Sequence, residues 1–157
     1  MAQAGKLERL WIDTQERVLN RLDRIRIRKR PTMPHHLLTG LRGERAALFE
    51  LRRRGMTIVA RRWSSPKLRG DIDLIGWDEE TLCFIEVKTR TARDMTPAEV
   101  AVDDRKRDLL RSLARAYLNT FPESERNSIP TRFDVVSVYA VQNTLDFQII
   151  RGAFSWR

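Results

Sequence analysis

Two otherwise apolar stretches of the chain carry acidic residues, GDIDLI at 70–75 and FIEVK at 84–88. Their β-branched and aromatic content predicts two strands, over 71–77 and 82–88. The polar residues at 78–81 predict a tight turn, so the two strands form an antiparallel hairpin. This hairpin constrains the fold most strongly, because carboxylates inside a core sheet need compensating partners.

The turn at 78–81 determines which residues face each other across the hairpin. It pairs Asp73 with Glu86 and Asp71 with Lys88, and strand alternation puts all four side chains on one face. Directly paired residues have Cβ atoms about 5 Å apart, and like charges so placed destabilise a sheet. A cation bound between Asp73 and Glu86 removes that cost.

Mg²⁺ is the cofactor that this hairpin predicts, with Mn²⁺ as a substitute, since Mg²⁺ binds one or two carboxylates together with waters and phosphates. Asp73 and Glu86 are the expected ligands. Lys88 emerges on the same face as Glu86, where it can hold an attacking water or a developing negative charge. The residues leave one alternative open, a solvent-exposed hairpin face with a surface pair of Asp71 and Lys88.

Two further charged residues fall on apolar stripes of predicted helices. Glu44 lies among leucines, and we expect it to complete or support the metal shell. The alternative is a glutamate at the helix edge, paired with Arg42 or Arg45. Lys106 lies on the apolar stripe of a later helix, where it reaches either the site or a phosphate, or else extends from the helix edge into solvent.

The remaining pattern predicts one α/β domain with a mixed sheet flanked by helices, preceded by a basic amphipathic helix. Besides the hairpin, we expect helices at 7–27, 39–55 and 97–119 and strands at 56–63, 132–139 and 145–151. Thr39 and Gly55 are the expected caps of the second helix.

Prolines at 31 and 34 predict a linker over 31–37, so the domains are 1–36, the basic helix and linker, and 37–157, the main domain. His35 and His36 are expected to be linker residues rather than metal ligands. Trp11 is expected to pack against the core or a second subunit.

The chain has 30 Lys and Arg residues against 21 Asp and Glu residues, a net charge of +9, and 25 of the basic residues are Arg. Guanidinium groups suit phosphate, so a polyanionic partner is expected. The candidate nucleic-acid-binding residues are Arg52, Arg53, Arg54, Arg61, Arg62, Lys67 and Arg69.

A single cysteine, Cys83, excludes an internal disulfide and favours a reducing compartment. The longest apolar runs are too short to span a membrane, and the charged amino terminus does not resemble a secretory signal. We therefore expect a cytoplasmic protein without a membrane partner.

Several motifs in order resemble the YraN family. They are Gly43-Glu44-x-Ala46, GDIDLI at 70–75, FIEVKTR at 84–90, Lys106, Tyr117-Leu118, RFDVV at 132–136 and Ala153-Phe154. The resemblance covers about residues 38–156. That family is similar to the PD-(D/E)xK nucleases, especially Holliday junction resolvases, which implies a restriction-endonuclease-like three-layer fold for residues 37–157.

The resemblance also implies roles for individual residues. Asp73 and Glu86 correspond to metal ligands, Lys88 to the catalytic lysine and Glu44 to the helical acid that assists the metal, while Lys106 matches a lysine of undefined role. The chain departs from the family in having Asp71 where Glu is usual. It also has Trp63 where Asn is usual, which leaves the loop before residue 70 less defined.

The expected function is therefore metal-dependent hydrolysis of DNA, branched or otherwise structured, with a homodimer suggested by analogy with resolvases. Two rivals remain at the level of sequence. One is a nuclease-like module that binds nucleic acid without cutting it, and the other is an interaction protein that acts through its first helix.

Overall fold

The computed structural model describes residues 10–21, 35–90, 102–141 and 144–157. Residues 10–21 form helix α1. The other elements are α2 (His35–Arg53), β1 (Thr57–Trp63), β2 (Ile72–Asp78), β3 (Thr81–Arg90), α3 (Asp104–Leu118), α4 (Glu123–Arg126), β4 (Thr131–Val141) and β5 (Thr144–Phe154). Apart from the single turn of α4, every helix and strand in these ranges was expected from the sequence.

The five strands form one mixed sheet in the order β1-β2-β3-β4-β5. β3 and β4 are parallel, from Leu82 opposite Thr131 to Arg90 opposite Tyr139, and the other neighbours are antiparallel. Parallel neighbours need a crossover connection, and α3 lies within this one. The mixed sheet is the one expected from the sequence.

Helices cover both faces of the sheet. On one face, Phe49 of α2 packs in a cluster with Ile85 and Val136. On the other face, Leu113 of α3 packs in a cluster with Phe84 of β3. The domain therefore has the three layers of the restriction-endonuclease-like fold, and its central strands are buried on both sides, which is why they are apolar almost throughout.

α2 ends as predicted but begins earlier. Gly55 has φ +95°, its N–H donates to Arg52 O at 3.0 Å, and the N–H of Met56 donates to Leu51 O at 3.0 Å. This is a Schellman cap, which confirms Gly55 as the terminating residue. The predictions of Thr39 as N-cap and of a linker over 35–37 are wrong, because a proline just before a helix does not delay its start. The backbone of His35 and His36 is accordingly helical.

α1 packs against α2 through Ile12 and not through Trp11. Ile12 is 3% exposed, whereas Trp11 is 65% exposed. The prediction that Trp11 packs against the core is wrong, since a turn of about 100° per residue directs Ile12 inward and Trp11 away. Polar contacts complete the docking: Arg52 Nη1 donates to Gln15 Oε1 at 2.8 Å, and Arg53 pairs with Asp13 and Glu16. The remainder of the predicted helix 7–27 lies outside the described residues.

α3 starts at an N-cap, Asp103, whose Oδ1 accepts a hydrogen bond from the N–H of Lys106 at 2.8 Å. The prediction that this helix runs unbroken from residue 97 is wrong, because residues 102 and 103 are not helical and the helix begins at Asp104. None of the helices within the described ranges is long and apolar enough to cross a membrane.

Candidate active site

The acidic hairpin forms with the register expected from its turn. Its ladder pairs Asp78 with Thr81 at the turn and Leu74 with Ile85 at the other end. Asp73 and Glu86 are the next residues beyond that last pair. Asp73 Oδ2 accepts a hydrogen bond from the N–H of Val87 at 2.7 Å, which ties the acid of β2 to the backbone of β3.

Glu86 is held by two lysines. It is only 3% exposed, so its carboxylate needs charged partners. Lys88 Nζ donates a hydrogen bond to Glu86 Oε1 at 2.9 Å. Lys106 Nζ lies 3.0 Å from Oε2 and forms an ion pair with it. The alternative of a solvent-exposed hairpin face is therefore wrong at Glu86.

Glu44 reaches the site because a glycine precedes it. A Cβ at Gly43 would lie 1.8 Å from Thr89 Oγ1, so only glycine lets α2 come this close to the end of β3. The side chain of Glu44 is 16% exposed and its basic neighbour is Arg62, with Nε 4.0 Å from Oε2. This arrangement places Glu44 beside the acidic hairpin, not at a helix edge paired with Arg42 or Arg45.

Two of the acids, Asp73 and Glu44, have a raised pKa, and burial is the largest cause for each. Burial and the charge of Glu86 raise the pKa of Asp73 to about 7, although the hydrogen bond from Val87 opposes the shift. Burial also raises the pKa of Glu44, and there Arg62 opposes the shift. Burial alone would lower the pKa of Lys106, but the charges of Glu86 and Asp73 raise it above its ordinary value. Burial is thus the main cause of the raised pKa of Asp73 and of Glu44, and the charge of Glu86 adds to both shifts.

The donor set suits a hard divalent cation. Two buried carboxylate oxygens, Glu44 Oε2 and Glu86 Oε2, accept no hydrogen bond from the described residues. Asp73 and Glu86 together supply the one or two carboxylates that Mg²⁺ usually takes from a protein. In the described ranges, no group of three or more His, Cys, Asp and Glu side chains is placed to hold a metal ion.

The sequence model of the uncharacterised protein family UPF0102 matches residues 43–138. The chain belongs to this family, the YraN family. The UPF0102 protein of Koribacter versatilis is 50% identical over 124 residues, which cover 79% of this chain and 84% of that protein. Those of Solibacter usitatus and Lawsonia intracellularis are 42% and 35% identical, over 84% and 74% of this chain and 93% and 85% of their own lengths.

The span matched by the UPF0102 model begins at Gly43 in α2 and ends at Val138 in β4. It therefore contains the acids Glu44, Asp71, Asp73 and Glu86. It also contains the two lysines that contact Glu86. The family resemblance inferred from the motifs is confirmed. The roles of the individual residues remain predictions.

Asp71 occupies a different place from the one predicted. It lies just before β2, and its Oδ2 accepts a hydrogen bond from Arg62 Nε at 3.2 Å. Lys88 pairs instead with Glu86, so the predicted pairing of Asp71 with Lys88 is wrong. The strand begins one residue later than expected, which frees Asp71 to pair with β1. Arg62 has φ +46°, a conformation that non-glycine residues seldom adopt.

The seven candidate phosphate-binding residues separate into two groups. Arg61 pairs with Leu74 in the sheet, next to Asp73. Residues 62, 67 and 69 follow Arg61 along the chain, at the same end of the hairpin as Asp73. Arg52, Arg53 and Arg54 precede Thr57, which pairs with Trp77 near the hairpin turn. These three lie at the end of the hairpin away from Asp73. Their side chains contact α1 or, for Arg54, Glu50 of the same helix.

The departure at Trp63 has a packing explanation. Its ring meets that of Tyr117 edge to face, with centroids 5.2 Å apart. Such contacts stabilise aromatic pairs beyond the area they bury. Trp63 therefore joins the end of β1 to α3, close to the loop that leads to Gly70.

Sequence reasoning missed Ser137. This residue is fully buried in β4, pairs with Lys88 across the parallel ladder, and its Oγ makes no hydrogen bond with the described residues. Paired residues share a face, so the hydroxyl lies on the side of the sheet that carries Glu86 and Lys88. A serine among the apolar residues Val135, Val136 and Val138 was the available signal.

Proposed function

We propose that this UPF0102 protein is a metal-dependent endonuclease that hydrolyses phosphodiester bonds in DNA, with branched or otherwise structured DNA as the substrate. One observation carries the proposal. A buried glutamate, Glu86, holds the ammonium of Lys88 at 2.9 Å while a second acid, Asp73, is fastened to the peptide between them. This is the constellation that hydrolysis of a phosphodiester needs, with two acids for a metal and one cation for the reacting water.

Asp73 and Glu86 would hold Mg²⁺ or Mn²⁺, with Glu44 in support. When bound, the metal would polarise the phosphoryl oxygen and lower the pKa of an attacking water. Lys88 orients that water and stabilises the negative charge that develops on the phosphate. Glu86 keeps Lys88 in place through Oε1, because the two side chains lie on the same face of β3.

Arg61, Arg62, Lys67 and Arg69 form the proposed phosphate-binding surface, since they lie at the end of the hairpin that carries Asp73. Phosphate contacts orient a substrate without selecting its sequence. A preference for structured DNA would then come from the shape of the backbone path between these residues and Glu86. A homodimer would supply two such sites to one branched substrate, and a cytoplasmic location suits the free, buried Cys83.

The test is cleavage of a labelled panel comprising a four-way junction, a flap, a single strand, a duplex and an RNA hairpin, in Mg²⁺, Mn²⁺ or EDTA. We expect metal-dependent cutting that Asp73→Ala and Lys88→Ala abolish. Glu80→Ala is the matched control, because Glu80 is an exposed acid at the turn of the same hairpin. Salt-sensitive binding without cutting, unchanged by these substitutions, would instead identify a non-catalytic nucleic-acid-binding module.

A second candidate is an interaction protein, which the outer side of α1 favours. Leu10, Trp11 and Val18 are each more than half exposed there. Trp11→Ser combined with Val18→Ser should then reduce self-association in sedimentation velocity, while Leu145→Ser, at an exposed position on β5, should not. Ile12 stays in place in this variant, so the docking of α1 is preserved. Identical sedimentation of all three proteins would exclude this surface as a dimer contact.

A further inference from the structure

The two lysines on Glu86 are bound differently. Lys88 donates a well-formed hydrogen bond to Oε1. Lys106 forms an ion pair with Oε2, with its Nζ 3.0 Å away. The two ammonium groups therefore contact different oxygens of one buried carboxylate.

Lys106 interacts electrostatically with both acids. Its ammonium is attracted by Asp73 as well as by Glu86, and in turn it stabilises the charged form of Asp73. A divalent cation held by these two carboxylates would bind Glu86 Oε2, the oxygen that the Lys106 ammonium already contacts. A metal ion and the Lys106 ammonium cannot both bind it, because like charges in a half-buried site repel strongly.

The attachment of Lys106 allows it to leave. The backbone N–H of Lys106 donates to the N-cap Asp103, so the backbone can stay in place when the side chain moves. Its side chain is 26% exposed and ends a flexible four-carbon stem, which can turn toward solvent or toward a substrate phosphate. Lys88, by contrast, is tied to the same strand as its partner.

We propose that Lys106 is an internal substitute for the metal ion: its ammonium occupies the cation position between Asp73 and Glu86 in the metal-free protein and is displaced when the metal binds. The displaced ammonium then lies next to the bound phosphate. This proposal rests on the proposed function, in that Asp73 and Glu86 must be the metal ligands. It assigns Lys106 two effects of opposite sign, stabilisation of the empty site and competition with the metal.

The decisive measurement is Mn²⁺ binding in the absence of DNA, by calorimetry and by electron paramagnetic resonance. Lys106→Met removes the competing charge and should bind Mn²⁺ about tenfold more tightly than wild type. Lys106→Gln keeps a hydrogen-bond donor for Glu86 and serves as the second variant if the methionine variant folds poorly. It should also bind Mn²⁺ more tightly than wild type. Arg105→Met is the matched control, because it removes an exposed positive charge one residue away and should leave Mn²⁺ affinity unchanged.

Thermal unfolding supplies a second readout. Without metal, Lys106→Met should melt below wild type, because the acids lose a neutralising partner. The increase in Tm on adding Mn²⁺ should be larger for this variant than for wild type.

The outcomes separate this proposal from the proposed function. One outcome would overturn the role of Lys106 alone. In that outcome Asp73→Ala weakens Mn²⁺ binding, but both Lys106 variants bind Mn²⁺ no more tightly than wild type does. A protein in which no variant binds Mn²⁺ at Asp73 would overturn the metal site and the nuclease proposal with it.

Discussion

Asp73 and Val87 are joined by a hydrogen bond from the Val87 N–H to Asp73 Oδ2, 2.7 Å long. Val87 stands between Glu86 and Lys88 in β3, so the acid of one strand is positioned by the peptide that separates the other two proposed catalytic residues. The position of Asp73 is thus set by backbone geometry and does not depend on a bound cation. This relationship explains how the site can be formed in the metal-free protein.

Asp73→Asn should separate the structural from the chemical role of this side chain. The asparagine amide oxygen can still accept the hydrogen bond from Val87, so the protein should fold normally. Loss of a charged ligand should lower metal-dependent cleavage more than about 100-fold. Asp104→Asn, at a side chain that is 96% exposed, is the control for removal of a negative charge. Cleavage rates and urea unfolding measured on the same samples check the prediction, which a cleavage-competent Asp73→Asn protein would contradict.

The raised pKa of Asp73 predicts an unusual dependence of stability on pH. With the folded value at about 7 and the ordinary value at 3.8, the folded protein keeps a proton that the unfolded chain has lost between those pH values. Metal-free stability should therefore fall as pH rises through this window and level off above about pH 7. The loss assigned to Asp73 between about pH 5.5 and about pH 8 is about 2 kcal/mol.

Urea unfolding in EDTA at both pH values measures this loss. Asp73→Asn should show a smaller decrease than wild type, although Glu44, whose pKa is also raised, retains its part in both proteins. Adding Mg²⁺ at the higher pH should restore stability by binding the folded state. Equal pH dependence in wild type and Asp73→Asn would show that Asp73 titrates near its ordinary value.

Gly43→Ala should damage the site through packing. The new Cβ would lie 1.8 Å from Thr89 Oγ1, so α2 must move away from β3, at a cost of about 1–3 kcal/mol. Because Glu44 follows directly, cleavage should fall as well. Gly40→Ala in the same helix is the matched control: its Cβ meets nothing within 4 Å, and alanine should stabilise the helix by about 1 kcal/mol.

A rescue variant strengthens that comparison. Thr89→Ala in the Gly43→Ala background removes the oxygen and the methyl group nearest the new Cβ. Stability and cleavage should both recover in part. Recovery of stability without recovery of cleavage would mean that the position of Glu44 does not matter for the reaction.

The hairpin was predictable because its register follows from one short turn and its acids stand out in apolar strands. Long-range pairing was harder to foresee. Nothing near Asp71 in the sequence indicates that Arg62 would bind it, and nothing near Arg53 indicates that α1 would engage it, since both contacts depend on how distant elements pack. The prediction that Trp11 packs against the core was wrong for a related reason: an apolar stripe on a helix shows amphipathicity but does not identify which side meets the domain.

The two groups of basic residues predict different salt dependence of DNA binding. A substitution that removes one phosphate contact should reduce the slope of log affinity against log salt by about 0.9. Arg61→Gln, Lys67→Gln and Arg69→Gln, at the site end of the hairpin, should each approach that reduction. Arg54→Gln should leave the slope unchanged, because Arg54 lies at the other end, where its Nε pairs with Glu50 Oε1 of its own helix at 2.8 Å.

Fluorescence anisotropy with a four-way junction in EDTA measures this binding without cleavage. Arg54 is the suitable control in its group, since Arg52 and Arg53 also hold α1 and their substitution would disturb its docking. If Arg54→Gln reduced the slope as much as the other three variants do, the defined phosphate path would be contradicted. The result would instead indicate a diffuse basic surface. The proposed orientation of DNA across the hairpin would then have no support from charge, because a diffuse surface holds the backbone in no single direction.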